Sequence, residues 1–287
     1  MIQLLGENEV LKTIILLAMS DGAGEISSER NLKLRLNKLY MNLNPKVIGE
    51  NFKSNELIFV RDKKLLQENI KVFNMETDLN DIENVVESFC GSYENLDEIY
   101  ELYKKMLCRA NMTIPGFEEV FKLAMASLFY ANSQAAGGGS TSAAIGVLWC
   151  DHRSSWSEND FVEFFMHELT HTLLFLDERR FVHYENLELV EKIENYALSA
   201  ILNKKRPLDK VVHSIVVATE IVLLRENILG HPVGPKLHPP TEVIIKQTLK
   251  AIIDAKRKTN ALKDRSLQLL DMCEAKLISI NSEVCHA

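Results

Sequence analysis

The chain has 287 residues, 46% hydrophobic and 25% charged, with a formal net charge of −7. That balance supports a sizeable core in one large domain or two smaller ones, and it lacks the positive field that would hold a phosphate backbone, so nucleic acid is not expected as a partner. Five scattered cysteines (Cys90, Cys108, Cys150, Cys273 and Cys285) form no CxxC pair, which argues against a disulfide framework or a cysteine zinc knuckle and for a cytoplasmic location.

Taken in chain order, the first twenty residues are apolar but carry Glu7, Glu9 and Lys12, so they read as a packed helix and not as a targeting segment. No apolar run approaches the roughly 20 residues that span a bilayer, so no membrane role is expected. Apolar residues at helical spacing predict helices over Asn8–Met19, Arg30–Leu43, Leu79–Phe89, Asn95–Leu107, Phe117–Ala131, Glu158–Leu176, Leu187–Leu202, Leu208–Ile228, Thr241–Lys258 and Ala261–Ile278. Strand signals are confined to Glu56–Val60, Ile70–Phe73 and Ala144–Cys150. The expected fold is therefore mainly α, with a small β-sheet beside one functional helix. Gly137-Gly138-Gly139 lacks both P-loop and dinucleotide-binding spacing and reads as a flexible connector. The segment Gly230–Pro240 reads as a loop, because its prolines fix φ and remove donors. A boundary near residue 112 would separate an N-terminal helical lobe, 1–112, from a catalytic domain, 113–287. The lobe's expected role is substrate recognition, with the edge of the Glu56–Val60 strand open to an added strand.

The chemistry concentrates in His167-Glu168-Leu169-Thr170-His171. Ser157 followed by Asp160 signals a helix start, and Phe161, Phe164, Phe165, Leu169, Leu173 and Leu174 continue it at helical spacing. Residues four apart share a helix face, so His167 and His171 can meet at one cation with Glu168 leaning over it. Two imidazoles and a carboxylate amid so much Phe and Leu would be costly to bury without a partner, and a metal ion is such a partner.

Three sources compete for the third ligand. Asp177 lies about 9 Å along the axis from His171 if the helix continues, too far to share an ion. Glu191 or Glu194 would suit the thermolysin-like pattern, in which the following helix supplies a glutamate. His213, two turns into an apolar helix opened by Pro207, is the last candidate. Other polar residues read as structural: Tyr184 packs, Cys150 is a buried inert thiol, and His231 and His238 are solvent-exposed in the proline loop.

HELTH, the preceding Ile145-Gly146-Val147-Leu148-Trp149, and the downstream Arg206-Pro207-Leu208-Asp209-Lys210-Val211-Val212-His213 together resemble the HExxH-type 2-oxoglutarate-dependent peptide β-hydroxylases over residues 145–218. The likeness to zincin metallopeptidases is more distant and rests on HExxH alone. The first resemblance implies that His167, His171 and His213 bind iron(II), that Arg206, or alternatively Arg225, pairs with 2-oxoglutarate, and that the substrate is a ribosomally made precursor peptide with a leader segment. Planar guanidinium forks suit such a carboxylate. The alternative is a zinc peptidase with Glu168 as its indispensable general base; in a hydroxylase Glu168 would instead orient a ligand or water.

Overall fold

The computed structural model describes residues 1–20, 28–74, 95–133 and 136–284. The expected helix over 79–89 lies outside them. The described residues are mainly helical, with a four-stranded mixed sheet and a two-stranded ribbon. No described helix is long and apolar enough to cross a membrane. The chain divides into two compact units, Glu7–Leu176 and a second made of Met1–Gly6 with Asp177–Ala287. Residue 112 is no divide in this arrangement, because it lies within a helix that runs from Leu96 to Thr113.

After the short α1 (Ile2–Leu5), which belongs to the second unit, come α2 (Glu7–Ser20) and α3 (Glu29–Leu43), the latter capped by Ser28, which accepts from the amide of Asn31 at 3.2 Å. Strand β1 (Ile58–Phe59) precedes α4 (Lys63–Phe73), whose cap Asp62 accepts from the Leu65 amide at 2.8 Å. The stretch Ile70–Phe73, expected as a strand, is the last turn of α4. Leu65, Leu66, Asn69, Ile70 and Phe73 bury one helical face, and the cap upstream commits the whole segment to that period.

Helix α5 (Leu96–Thr113) leads to α6 (Phe117–Ala124), which ends seven residues before the expected Ala131. The cause lies far away in sequence. Lys33 Nζ donates to the carbonyls of Leu123 at 2.9 Å and Met125 at 2.7 Å, and Tyr40 Oη donates to that of Ala124 at 2.8 Å. Side chains of α3 thus satisfy the carbonyls that further turns of helix would have used, and the freed chain enters the sheet as β2 (Ser127–Tyr130).

The sheet order is β1-β2-β4-β3, with β3 at Gly138–Gly139 and β4 at Val147–Cys150. β1, β2 and β4 run parallel, and β3 pairs antiparallel to β4 with Gly138 opposite Cys150 and Gly139 opposite Trp149. The triple glycine is therefore no flexible connector. A Cβ at Gly137 would fall 2.6 Å from the Trp156 ring, at Gly138 2.4 Å from the Phe164 ring, and at Gly139 2.9 Å from Trp149 Nε1. Glycine is there so that the backbone can lie against aromatic faces.

Helix α7 (Glu158–Arg180) follows β4 and carries HELTH; the division between the units falls within it, between Leu176 and Asp177. In the second unit the expected helix Leu187–Leu202 is broken up. It becomes α8 (Leu187–Glu191), a 3-10 turn at Ile193–Asn195, and β5 (Ala197–Leu198), which pairs antiparallel with β6 (Lys205–Arg206). Asn195 Nδ2 turns back to the Leu189 carbonyl at 2.8 Å, and the Leu198 amide donates to Asp254 Oδ2 at 2.9 Å, so backbone groups that a helix would pair are taken by side chains.

Helix α9 (Leu208–Leu224) starts directly after Pro207 and is buried nearly throughout, as an all-round apolar helix must be. It packs with α1, α8, β5, α10 (Thr241–Lys256) and α11 (Asp264–Val284). Glu220 on α9 is fully buried and accepts from the amides of Gln3 at 3.0 Å and Leu4 at 2.7 Å, at the start of α1, where the helix has no backbone acceptors to offer.

Candidate metal centre

Ser157 and Asp160 open α7 reciprocally: the Asp160 amide donates to Ser157 Oγ at 3.2 Å, and the Ser157 amide donates to Asp160 Oδ2 at 2.8 Å. Phe161, Phe164, Phe165, Leu169, Leu173 and Leu174 are buried, as the periodicity requires of a core helix. The helix holds His167 and His171 one turn apart, only partly buried, with Nε2 of each 3.2 Å from Nε2 of the other. The rings lie 4.9 Å apart between centroids and are tilted by 57°, and Phe175 stacks on His171 one turn further on.

The separation tests whether an ion fits. With metal–nitrogen bonds of about 2.0–2.1 Å, two imidazoles sharing one ion stand about 2.9 Å apart at a right angle and about 3.4 Å apart at the tetrahedral angle. The observed 3.2 Å lies between these values. Neutral imidazole lone pairs so close to one another repel unless one nitrogen carries a proton or both face a cation. The pair fits a metal ion.

Glu168 stands beside them, its side chain 5% exposed, with Oε1 3.9 Å from His167 Nε2. Its Oε2 accepts from Ser140 Oγ at 2.8 Å, just beyond the glycine strand. Burial pushes its carboxyl up to about 7, and hydrogen bonds from the Ser140 side chain and backbone only partly offset that rise. Ser140 was not a sequence candidate. Its signal was position alone, next to a glycine run whose packing could not be read from the chain.

The other expected site residues fall in the second unit. His213 is buried on α9, and its Nε2 meets Glu178 Oε1 at 3.0 Å. Tyr184, expected only to pack, also donates to that oxygen at 3.3 Å. Burial raises the Glu178 carboxyl, but the charge and hydrogen bond of His213 overcome it and leave the group below its usual range. Glu191 ends α8 half-buried; Glu194 is exposed on the 3-10 turn, its carbonyl accepting from Lys258 Nζ at 2.6 Å. Asp177 is occupied, accepting from Arg265 Nε and Nη2 at 2.8 Å each and pairing with His183 Nε2 at 2.9 Å.

Arg206 is half-buried on β6. Arg225 is fully buried and donates through Nη1 to the Pro239 carbonyl at 2.8 Å and to Thr241 Oγ1 at 3.3 Å, pinning the end of the proline loop. His231 is exposed as expected, whereas His238 is only 5% exposed, because the loop's end is held down near that residue. Cys150 is buried among apolar neighbours that push its thiol well up, consistent with an inert group. Among the described residues no group of three or more His, Cys, Asp or Glu side chains is gathered as a complete metal-ligand set. The fit therefore extends to the His167–His171 pair and no further.

Compared with known proteins, the chain matches no family model and no curated protein. Two convergent imidazoles offer lone pairs to a divalent ion of the zinc or iron(II) type, and the carboxylate one residue along can orient or accept a proton from whatever that ion binds.

A separate cavity lies in the first unit. It is a groove of about 660 Å³ along β1, lined by Lys33, Leu57, Phe59, Leu107 and Phe121 among others. β1 is an edge strand of its sheet.

Proposed function

We propose that this chain is a mononuclear metalloenzyme that hydroxylates a ribosomally made peptide, using iron(II) and 2-oxoglutarate. The observation that carries the metal is the 3.2 Å approach of His167 Nε2 to His171 Nε2; the choice of iron chemistry rests on the sequence resemblance over residues 145–218. In this reading His167 and His171 are ligands, and the resemblance adds His213 as the third donor and Arg206, or alternatively Arg225, as the partner of the 2-oxoglutarate carboxylate. Bound iron with 2-oxoglutarate and oxygen supplies the oxidising equivalents, so that a C–H bond becomes C–OH while the keto acid is lost as succinate and carbon dioxide. Glu168 holds a water or ligand in place through Oε1. Recognition of an extended leader segment is assigned to the N-terminal part of the chain, where the groove along β1, lined from residues 29–111 and also from α6, supports it.

A second reading is favoured by one observation, the burial of the Glu168 carboxylate next to the histidine pair with Oε1 3.9 Å from His167 Nε2. A general base poised there suits a zinc peptidase, with Glu191 or Glu194 as third ligand. One pair of assays separates the two. Iron(II)-dependent conversion of 2-oxoglutarate to succinate, coupled to a gain of one oxygen atom by the peptide, is expected of the hydroxylase. Chelator-sensitive peptide cleavage restored by zinc, without succinate, overturns it in favour of the peptidase; neither activity, together with no bound metal, overturns both.

A further inference from the structure

Glu168 has two carboxylate oxygens, and the fold treats them differently. Oε2 takes a hydrogen bond from Ser140 Oγ at 2.8 Å, while Oε1 lies 3.9 Å from His167 Nε2. The position of Ser140 follows from the strand before it. Gly139 is paired with Trp149 in the sheet, and a side chain on any of Gly137, Gly138 or Gly139 would collide with Trp156, Phe164 or Trp149. Two of these aromatic residues are anchored near the site themselves: Phe164 lies on α7 one turn before His167, and Trp149 lies on the central strand β4. The hydroxyl is thus presented to the carboxylate by backbone locked between the sheet and the helix that carries the histidines.

We propose that Ser140 is the positioning residue of the metal centre, holding Oε2 of Glu168 so that Oε1 is the oxygen directed to the His167 side. The inference rests on the metal reading above. A serine hydroxyl can donate one proton, and with Oε2 as its acceptor the carboxylate plane can no longer swing about its terminal torsion, which is otherwise broad and soft. Glu168 then meets an ion-bound water in one orientation instead of several. Without the hydroxyl the carboxylate stays buried and keeps only the hydrogen bond of the Ser140 backbone, so its orientation is less tightly fixed and the ion's surroundings become heterogeneous while the fold stands.

The test is cobalt(II) titration of the full chain, read by its visible ligand-field absorption and by competition with a chelator. Wild type is expected to develop a single cobalt spectrum. S140A should shift and broaden that spectrum in the direction of E168Q, with a chelator-measured affinity loss of less than about 10-fold; S140T, which keeps the hydroxyl, should restore the wild-type bands. The double variant S140A/E168Q should match E168Q alone, because the two residues act through one contact. S140A should unfold in one cooperative transition at a midpoint only modestly below that of wild type, as the loss of a single hydrogen bond to the carboxylate requires. A wild-type spectrum in S140A alongside a shifted one in E168Q overturns the inference and leaves the metal reading standing, as does additivity in the double variant. Failure of wild type to bind cobalt(II) at all overturns the metal reading, and the inference falls with it.

Discussion

Particular buried charges of the two units stand in opposite surroundings, while Asp151 of the first unit, paired with Arg153, follows the second unit's pattern. In Glu7–Leu176 the buried Lys33 meets only backbone carbonyls, and the buried Glu168 meets a hydroxyl and an amide. Lacking an opposing charge, each is driven toward its neutral form: Lys33 is pulled down to about 7 and Glu168 pushed up to about 7, both by burial. In the second unit the buried Asp177 and the half-buried Glu178 stand only nine and ten residues beyond Glu168 on the same helix, yet His183 with Arg265, and His213, hold them below the usual carboxylate range. A helix does not decide the ionisation of its side chains; the partners packed against each turn do. Glu168 stands without an opposing charge beside the histidine pair, which suits a site that takes up a cation, while Asp177 is held in a salt bridge.

The largest effect is expected where charge is paired. D177A leaves the buried His183 and the part-buried Arg265 guanidinium without their carboxylate and should cost about 3 kcal/mol in denaturant unfolding; a loss below about 1 kcal/mol would mean that this pairing is not what stabilises the second unit. Next, H167A or H171A should each weaken cobalt(II) or zinc binding more than the roughly 10–100-fold typical of losing an outer partner, measured by chelator competition, while H183A should leave that affinity unchanged.

Third comes Lys33. Its folded value lies below that of an unfolded lysine, so between about pH 7 and 10.5 the unfolded chain binds the extra proton and stability rises with pH, by up to about 1.4 kcal/mol per pH unit. That gain is absent below pH 7. K33M should flatten the rise, as read from denaturation midpoints across this window, and an unchanged slope would show that the amine is charged when folded. The smallest effect belongs to E168Q, which replaces a desolvated acid with a neutral amide of the same shape and should alter metal-free stability by less than about 1 kcal/mol. A loss as large as that of D177A would erase the contrast between the units.

Legibility followed the range of the forces involved. α7, α9, α10 and α11 were readable because their apolar residues recur on the helical period, and the histidine pair was readable because spacing four on a helix is geometry in itself. The errors occurred where a distant side chain claims a backbone group. Lys33 and Tyr40 stop α6, some ninety residues further along the chain, and Asp254 holds the amide of Leu198. Of the site, His167, Glu168 and His171 were visible in the chain and Ser140 was not.

Taken alone, the sequence determined a mainly helical chain and two imidazoles on one helix face, since both depend only on the repeat of a local structure. The tertiary structure decided that two of the three glycines form an edge strand, that Ser140 grips Glu168, and that Arg265 neutralises Asp177 from 88 residues away. The physical reason is that hydrogen-bond satisfaction and desolvation depend on which atoms surround a group in space, and no local period encodes those neighbours.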